Sequence, residues 1–200
     1  MSAKWPQTME HESVGLRPLR LRDKEEWLWL RRTNEEWLGP WEATRPVEEA
    51  TFVTFRQMVK NYDAEAKAGR LLPFVVTYEG RMVGQLSVSG IMLGAARSGQ
   101  IGYWIGHQWA GLGIMPTAVA LAMDYCFFDR DLHRIEINIR PENQPSLRIV
   151  EKLGLRDEGL RKSYLHINGA WTDHRSFALT REEVQTRMID RLGTHRPSSM

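Results

Sequence analysis

The stretch Gln108-Trp109-Ala110-Gly111-Leu112-Gly113, followed by Pro116, has the residue types of an anion site. Two glycines one residue apart let the backbone turn tightly and keep side chains off the loop. With a helix starting just beyond, the amides of Gly111, Leu112, Gly113, Ile114 and Met115 point outward at its open end. Unpaired N–H groups there meet the positive end of the helix dipole. An ordinary glycine turn before a helix has the same spelling, so the anion reading depends on what else the chain carries. The Gly-Lys-Ser/Thr ending of a P-loop is absent, and Pro116 stands where a dinucleotide fingerprint needs its third glycine. A second polar set is Pro141-Glu142-Asn143-Gln144-Pro145-Ser146. Asn143 suits a helix N-cap, and Ser146, three residues on, faces the same helix end. Capping alone explains both, although a hydroxyl there also has a proton to donate. The third candidate is Glu136. Ile135, Ile137 and Ile139 share one face of a strand, and Glu136, Asn138 and Arg140 share the other. A carboxylate partly desolvated on that face serves either as a base, directly or through water, or as a structural partner for a nearby arginine.

These groups need elements to position them. Ile101 to Ile105 reads as a short buried strand, and Thr117 to Phe128, apolar nearly throughout, reads as a buried helix with Pro116 at its first position. Upstream, Val14 to Leu21 alternates as a strand, with Pro18 marking an edge or a bulge. Asp23-x-x-Glu26 opens a helix running to Asn34–Gly39, and Pro46 with Glu48 and Glu49 starts another that presents Phe52, Phe55, Val59 and Tyr62 and ends at Gly69. A hairpin follows, Leu72 to Tyr78 and Met82 to Val88, around Glu79-Gly80-Arg81. Downstream come the strand 133–140, a helix from Asn143 closed by Gly154, extended chain over 155–160, and a hairpin around Asn168-Gly169. Thr180-x-x-Glu183 caps a last helix. The order predicts an α/β (mixed α+β) sheet with helices on both faces, as one domain over 14–192, a mobile N-terminus over 1–13 and a frayed tail over 193–200.

Composition narrows the partners. The 200 residues suffice for one domain; a net charge of +2 gives no general nucleic-acid footprint. No apolar run of membrane-spanning length occurs, and MSAKWPQTMEHES lacks the core of a signal peptide, which predicts a cytoplasmic protein without membrane attachment. The single cysteine, Cys126, lies in the apolar helix and is expected to pack. His107, His133, His166 and His174 lack metal-ligand spacing, so no metal is expected.

The two polar motifs together carry a family likeness. Gln108, Gly111 and Gly113 satisfy Q/R-x-x-G-x-G/A. Pro141, Glu142, Asn143 and Ser146 followed by Lys152, Leu153, Gly154, Leu155, Glu158 and Gly159 satisfy a P-E-N-x-x-S…K-L-G-L/F-x-x-E-G pattern. With Leu132 to Glu136 (LHRIE) and Trp171, Asp173 and His174, the chain resembles the RimJ/RimL branch of the GNAT N-acetyltransferases, most of all the alanine-directed RimJ type. Leu155 replaces the phenylalanine common at its place. The resemblance implies a GNAT-like fold in which the two middle strands splay apart. It also implies acetyl transfer from acetyl-CoA to an amine by direct attack, without an acyl-enzyme. On that footing main-chain groups of Tyr103, Trp104 and Ile105 pair with the pantetheine amides. Gln108, Trp109, Ala110 and the amides through Met115 hold the pyrophosphate, and Asn143 binds the pantetheine. Ser146 protonates the departing thiolate and Glu136 is the candidate base. Trp37, Pro40, Trp41 and Glu42, with Tyr164 on the hairpin, are placed on the amine side.

Magnitudes bear on the acceptor. Neutralising an α-amine of pKa about 8 at neutral pH costs about 1.4 kcal/mol, whereas a lysine amine costs about 4.6 kcal/mol. A site without a strong base therefore suits a protein N-terminus, and the RimJ likeness implies that of a ribosomal protein, with ribosome association as a further expectation. The alternatives are a small amine, such as a polyamine, aminoglycoside or amino-acid derivative, and a non-catalytic acyl-CoA-binding module. Monomer and homodimer both remain open.

Overall fold

A computed structural model describes residues 5–47 and 53–193 of the chain. Its strands are β1 (Met9–His11), β2 (Val14–Pro18), β3 (Leu72–Tyr78), β4 (Arg81–Met92), β5 (Ser98–Ile105), β6 (Arg134–Ile139), β7 (Arg156–Ile167) and β8 (Ala170–Thr180). They form one sheet in the order β1-β2-β3-β4-β5-β6-β8-β7. Among the described residues β5–β6 is the parallel pair; its neighbours are all antiparallel. The helices are α1 (Lys24–Thr33), α2 (Glu35–Leu38), α3 (Phe55–Lys67), α4 (Ile114–Asp124), α5 (Gln144–Lys152) and α6 (Met188–Gly193). None of them is long and apolar enough to cross a membrane.

The sheet divides the apolar residues into two layers. On one face α4 is buried along almost its whole length and continues as a π-helical turn, Tyr125–Asp129. It packs on Phe74, Val76, Leu86, Ile101, Ile135 and Ile137, with Val150 and Leu153 of α5 alongside. Cys126 belongs to this layer, and burial pushes its thiol up to about 12, which leaves it an inert packing residue. On the other face Leu30 of α1 and Met58, Val59 and Tyr62 of α3 cover Val75 and Met82.

Several boundaries differ from the sequence reading. Within the stretch expected to be mobile, Met9–His11 pairs with Val14–Leu16, and the Trp5 indole donates to Asp63 at 3.1 Å. A three-residue polar strand has too little pattern to announce itself. Asp23 does not cap α1 with its side chain. Its carboxylate takes the Arg17 guanidinium at 2.7 Å and the Arg20 amide at 2.7 Å, which shortens β2 to Pro18. The second helix begins at Phe55 behind a Thr54 cap; Phe52 and most of the expected start lie outside the described residues. Thr180 and Glu183 form their capping box on a single 3₁₀ turn, and α6 starts separately, its Met188 and Ile189 amides held by the Asp124 carboxylate.

Asn34 ties the α1–α2 junction to the chain after β5. Its Nδ2 donates to the Leu30 carbonyl at 2.9 Å and its Oδ1 accepts the His107 amide at 2.7 Å, beside the glycine loop. Asn34→Ala strands both backbone groups in a buried place. Denaturant unfolding should show a loss of about 2 kcal/mol; an unchanged midpoint would mean that water replaces the side chain.

Candidate active site

β5 and β6 share three paired positions only, Ser98–Gln100 against Arg134–Glu136, yet β5 continues to Ile105 and β6 to Ile139. Past Gln100 the two strands separate. The Gly106 amide donates to the Val83 carbonyl at 2.9 Å on the β4 side. Antiparallel alternation then turns the main-chain groups of Ile101, Tyr103 and Ile105 into the gap. Trp104 belongs to the other set: its main chain faces β4 and only its side chain is available. This corrects the expectation that all three residues from 103 to 105 offer backbone. The Ile105 carbonyl is also taken, by the Trp37 indole N–H at 3.0 Å.

The gap opens at one end on the glycine loop. Gly111 and Gly113 have φ of +82° and +79°, the left-handed region that costs an L side chain about 1–2 kcal/mol. A Cβ at either place would meet nothing within 4 Å, so the glycines serve the turn and the space over the loop stays open. α4 starts at Ile114, which puts Pro116 at the third helical position, still within the turn whose amides lack helical partners. The first helical bond is that of Thr117, whose N–H and Oγ1 both donate to the Gly113 carbonyl.

α5 supplies the opposite wall. Asn143 caps it as expected, Oδ1 accepting from the Ser146 amide at 3.1 Å, and Pro145 sits in its first turn. Ser146 lines the gap opposite β5, and Arg148 and Lys152 line it one helical turn apart. These two cations were not singled out from the sequence as binding groups, though an i, i+4 basic pair behind Asn143 was the available signal.

A cavity of about 590 Å³ joins these parts. Tyr103, Trp104, Ile105, Trp109, Ala110, Gly111, Gly113, Ile114, Met115, Asn143 and Ser146 all reach it, as do Trp37, Trp41 and Glu42 from the α1–α2 side. Gln108 and Leu112 do not; both are exposed on the outside of the loop. Tyr164 does not either, its hydroxyl being turned to Gln100 Oε1 at 3.3 Å. The aromatic wall carries a cation that sequence reading passed over. Arg31 lies over the Trp104 ring at 5.4 Å and the Trp27 ring at 5.9 Å, and donates to Glu42 at 2.6 Å. The carboxylate of Glu42, which the resemblance placed on the amine side, is thus already paired. Trp41 is held by the Arg140 guanidinium, 5.6 Å from its ring, while Arg140 also donates to the Pro40 carbonyl.

Glu136 occupies the last paired position of β6 and does not line the cavity. One oxygen accepts from Arg134 Nε at 2.9 Å and the other from Arg161 at 2.8 Å. This is the structural arrangement that its strand position left open. Arg134 also binds Glu158, and Arg156 joins Glu158 to Glu183.

The comparisons with known proteins agree with this geometry. The Acetyltransferase (GNAT) domain family matches residues 13–156. The probable N-acetyltransferase YjcK of Bacillus subtilis (strain 168) is 31% identical over 173 residues, covering 86% of this chain and 96% of that one. The ribosomal protein uS5 alanine N-acetyltransferase of Escherichia coli (strain K12) is 31% identical over 149 residues, 74% of this chain and 77% of that one. Among solved structures, RimJ of Mycobacterium smegmatis in complex with CoA-disulfide superposes with a TM-score of 0.90 at 39% identity, covering 97% of each chain.

The ion-pair network that holds Glu136 has a signature in acid. Hydrogen bonds from Arg134, then Arg156, hold the Glu158 carboxyl down at about 2. A folded-state pKa below the unfolded one of about 4.3 stabilises fully above that value and less as protons are added. Melting temperature should therefore fall as pH drops from the ordinary carboxylate range toward 2, and Glu158→Gln should flatten that limb of the curve.

Proposed function

The chain belongs to the GNAT acetyltransferase family, and on that premise we propose that it acetylates the N-terminal α-amine of a protein, a ribosomal protein in the first instance, with acetyl-CoA as donor. The observation that carries this reading is the unpaired inner edge of β5, which opens on the glycine loop at one end and on the tryptophan wall at the other. Its likeness to the uS5 alanine enzyme and to RimJ supports the acceptor class.

The fit to the donor rests on complementary chemistry. A diphosphate is matched by the amides of Gly111 to Met115, with Arg148 and Lys152 adding charge. The pantetheine amides are matched by the strand groups of Tyr103 and the Ile105 N–H, with Asn143 across the gap. Ser146 Oγ then donates to the sulfur as the amine nitrogen bonds to the acetyl carbon and the C–S bond breaks. The proton the sulfur gains is balanced by the one the amine loses. Nothing is asked of Glu136, because both its oxygens are committed to arginines outside the cavity.

The charge of the wall favours an α-amine over a polycation. Glu42 is the one carboxylate among the described lining residues and Arg31 neutralises it, which leaves Arg148 and Lys152 facing no further lining carboxylate. A polyamine would need several acidic partners in that wall. An α-amine needs only to arrive uncharged, and nearby cations favour its neutral form.

Calorimetry should show acetyl-CoA binding with a stoichiometry of one. A peptide copying the uS5 N-terminus should be turned over with kcat/KM well above that for spermidine or an aminoglycoside. The reverse order would assign a small-amine substrate, and binding without turnover of any amine would leave an acyl-CoA-binding module. Ser146→Ala should lower kcat about 100-fold with acetyl-CoA affinity unchanged. A rate equal to wild type at every pH would reduce Ser146 to a residue of the α5 first turn.

A further inference from the structure

Tyr103 carries a hydroxyl that the fold does not use. It lies on β5 where main-chain groups turn into the gap, and its ring packs against the α4 layer. The Oη is buried, and no group among the described residues meets it at full hydrogen-bond geometry, although the Ser146 side chain lies within its reach. A buried hydroxyl without a partner costs about 1–3 kcal/mol, and such a group in a cavity wall calls for an explanation. Ser146 is the one side chain that bears on its acidity, and both residues line the same cavity. Burial pushes the phenol up to about 12, so it remains an O–H donor across any pH at which the protein is folded and working.

We infer that the Tyr103 hydroxyl is a positioning donor to Ser146: it gives its hydrogen to Ser146 Oγ and so directs the serine hydrogen at the sulfur of the bound thioester. This rests on the acetyl-transfer reading above. Ser146 has one hydrogen and rotates freely about its Cβ–Oγ bond unless something holds it. A phenol donating to the oxygen lone pair fixes the rotor and polarises the serine O–H, since hydrogen bonds in a chain strengthen one another. The serine proton passes to the sulfur as the C–S bond breaks and is replaced by the one the amine loses, while the phenol keeps its own and stabilises the charge that develops. The same two donors should stabilise the thiolate of bound coenzyme A.

Tyr103→Phe removes the Oη alone. The free variant should melt close to the wild-type temperature, since the lost hydroxyl has no partner beyond the Ser146 contact; a marked drop would show a structural role and overturn the inference. Its kcat should fall about ten-fold, the worth of one hydrogen bond in the transition state, with KM for acetyl-CoA unchanged. In a Ser146→Ala background it should cost nothing further; an additive loss would mean that Tyr103 acts independently of Ser146. A readout apart from turnover is calorimetric binding of coenzyme A across the thiol titration. Wild type should bind more tightly as the thiol ionises, and Tyr103→Phe should lose that preference. Equal rates and equal pH dependence in variant and wild type would remove Tyr103 from the mechanism while leaving acetyl transfer intact. A wild-type protein that neither binds coenzyme A nor turns over would instead sink both readings.

Discussion

The separation of β5 from β6 beyond the Gln100–Glu136 pair leaves a row of main-chain hydrogen-bonding groups inside the molecule. Buried amides and carbonyls are almost always paired in folded proteins, so an interior edge of this kind has to be met by something that carries its own donors and acceptors. The cause lies in the neighbours. β5 stays in register with β4 through Ile105 and Gly106, while β6 stays in register with β8 through Ile139. Each strand follows its antiparallel partner, and the parallel contact between them is the one that gives way. Arg134, Glu136 and Arg161 sit where the strands are still joined and brace that closed end from β6 to β7. Glu136 is thus part of the hinge of the opening and not of its lining.

The β5 edge of the cleft is fixed by two polar contacts from the helices beside it. Asn34 hands its Oδ1 to the loop amide of His107, and the Trp37 indole takes the Ile105 carbonyl and rests edge-on against the His107 ring at 4.8 Å. Both come from the α1–α2 junction, on the amine side, and both grip the chain between β5 and the glycine loop. The Trp37 bond has a second consequence. By occupying the Ile105 carbonyl it marks where the free edge of β5 ends, so an extended ligand pairing with that edge must turn there.

The parts of this architecture that depend on local chemistry were legible in the sequence. Gly111 and Gly113 announce a left-handed turn, Asn143 announces its cap, and the isoleucine alternation of β6 announces a strand with one buried face. What was not legible depends on partners distant in the chain. Asp23 looks like a cap until Arg17 competes for it, and nothing local states which partner wins. Glu136 looks like a base until Arg161, on a strand that folds back across the sheet, takes its second oxygen. The main-chain parity of β5 needs the register with β4, so Trp104 was grouped with its neighbours although its backbone faces the other way. Arg31 lies on an exposed-looking helix, and only the tertiary stack on Trp104 brings it to the cavity.

On the proposed acetyl-transfer reading, that arginine changes how the tryptophan wall would treat an amine. A wall of tryptophans with a bare carboxylate would hold a cationic N-terminus by attraction, and would also hold it protonated, since an anion nearby favours the charged form. Protonated nitrogen has no lone pair with which to attack. Arg31 cancels Glu42, and a diphosphate held by Arg148 and Lys152 would offset those two. An ammonium would then find no free anion in the lining to keep it protonated, which favours free amine. For an α-amine the demand is small, about 1.4 kcal/mol at neutral pH. A lysine side chain asks for about 4.6 kcal/mol, more than such a wall supplies without a base. On the proposed acetyl-transfer reading, selection between the two amines would follow from the lack of a free carboxylate in the cavity wall.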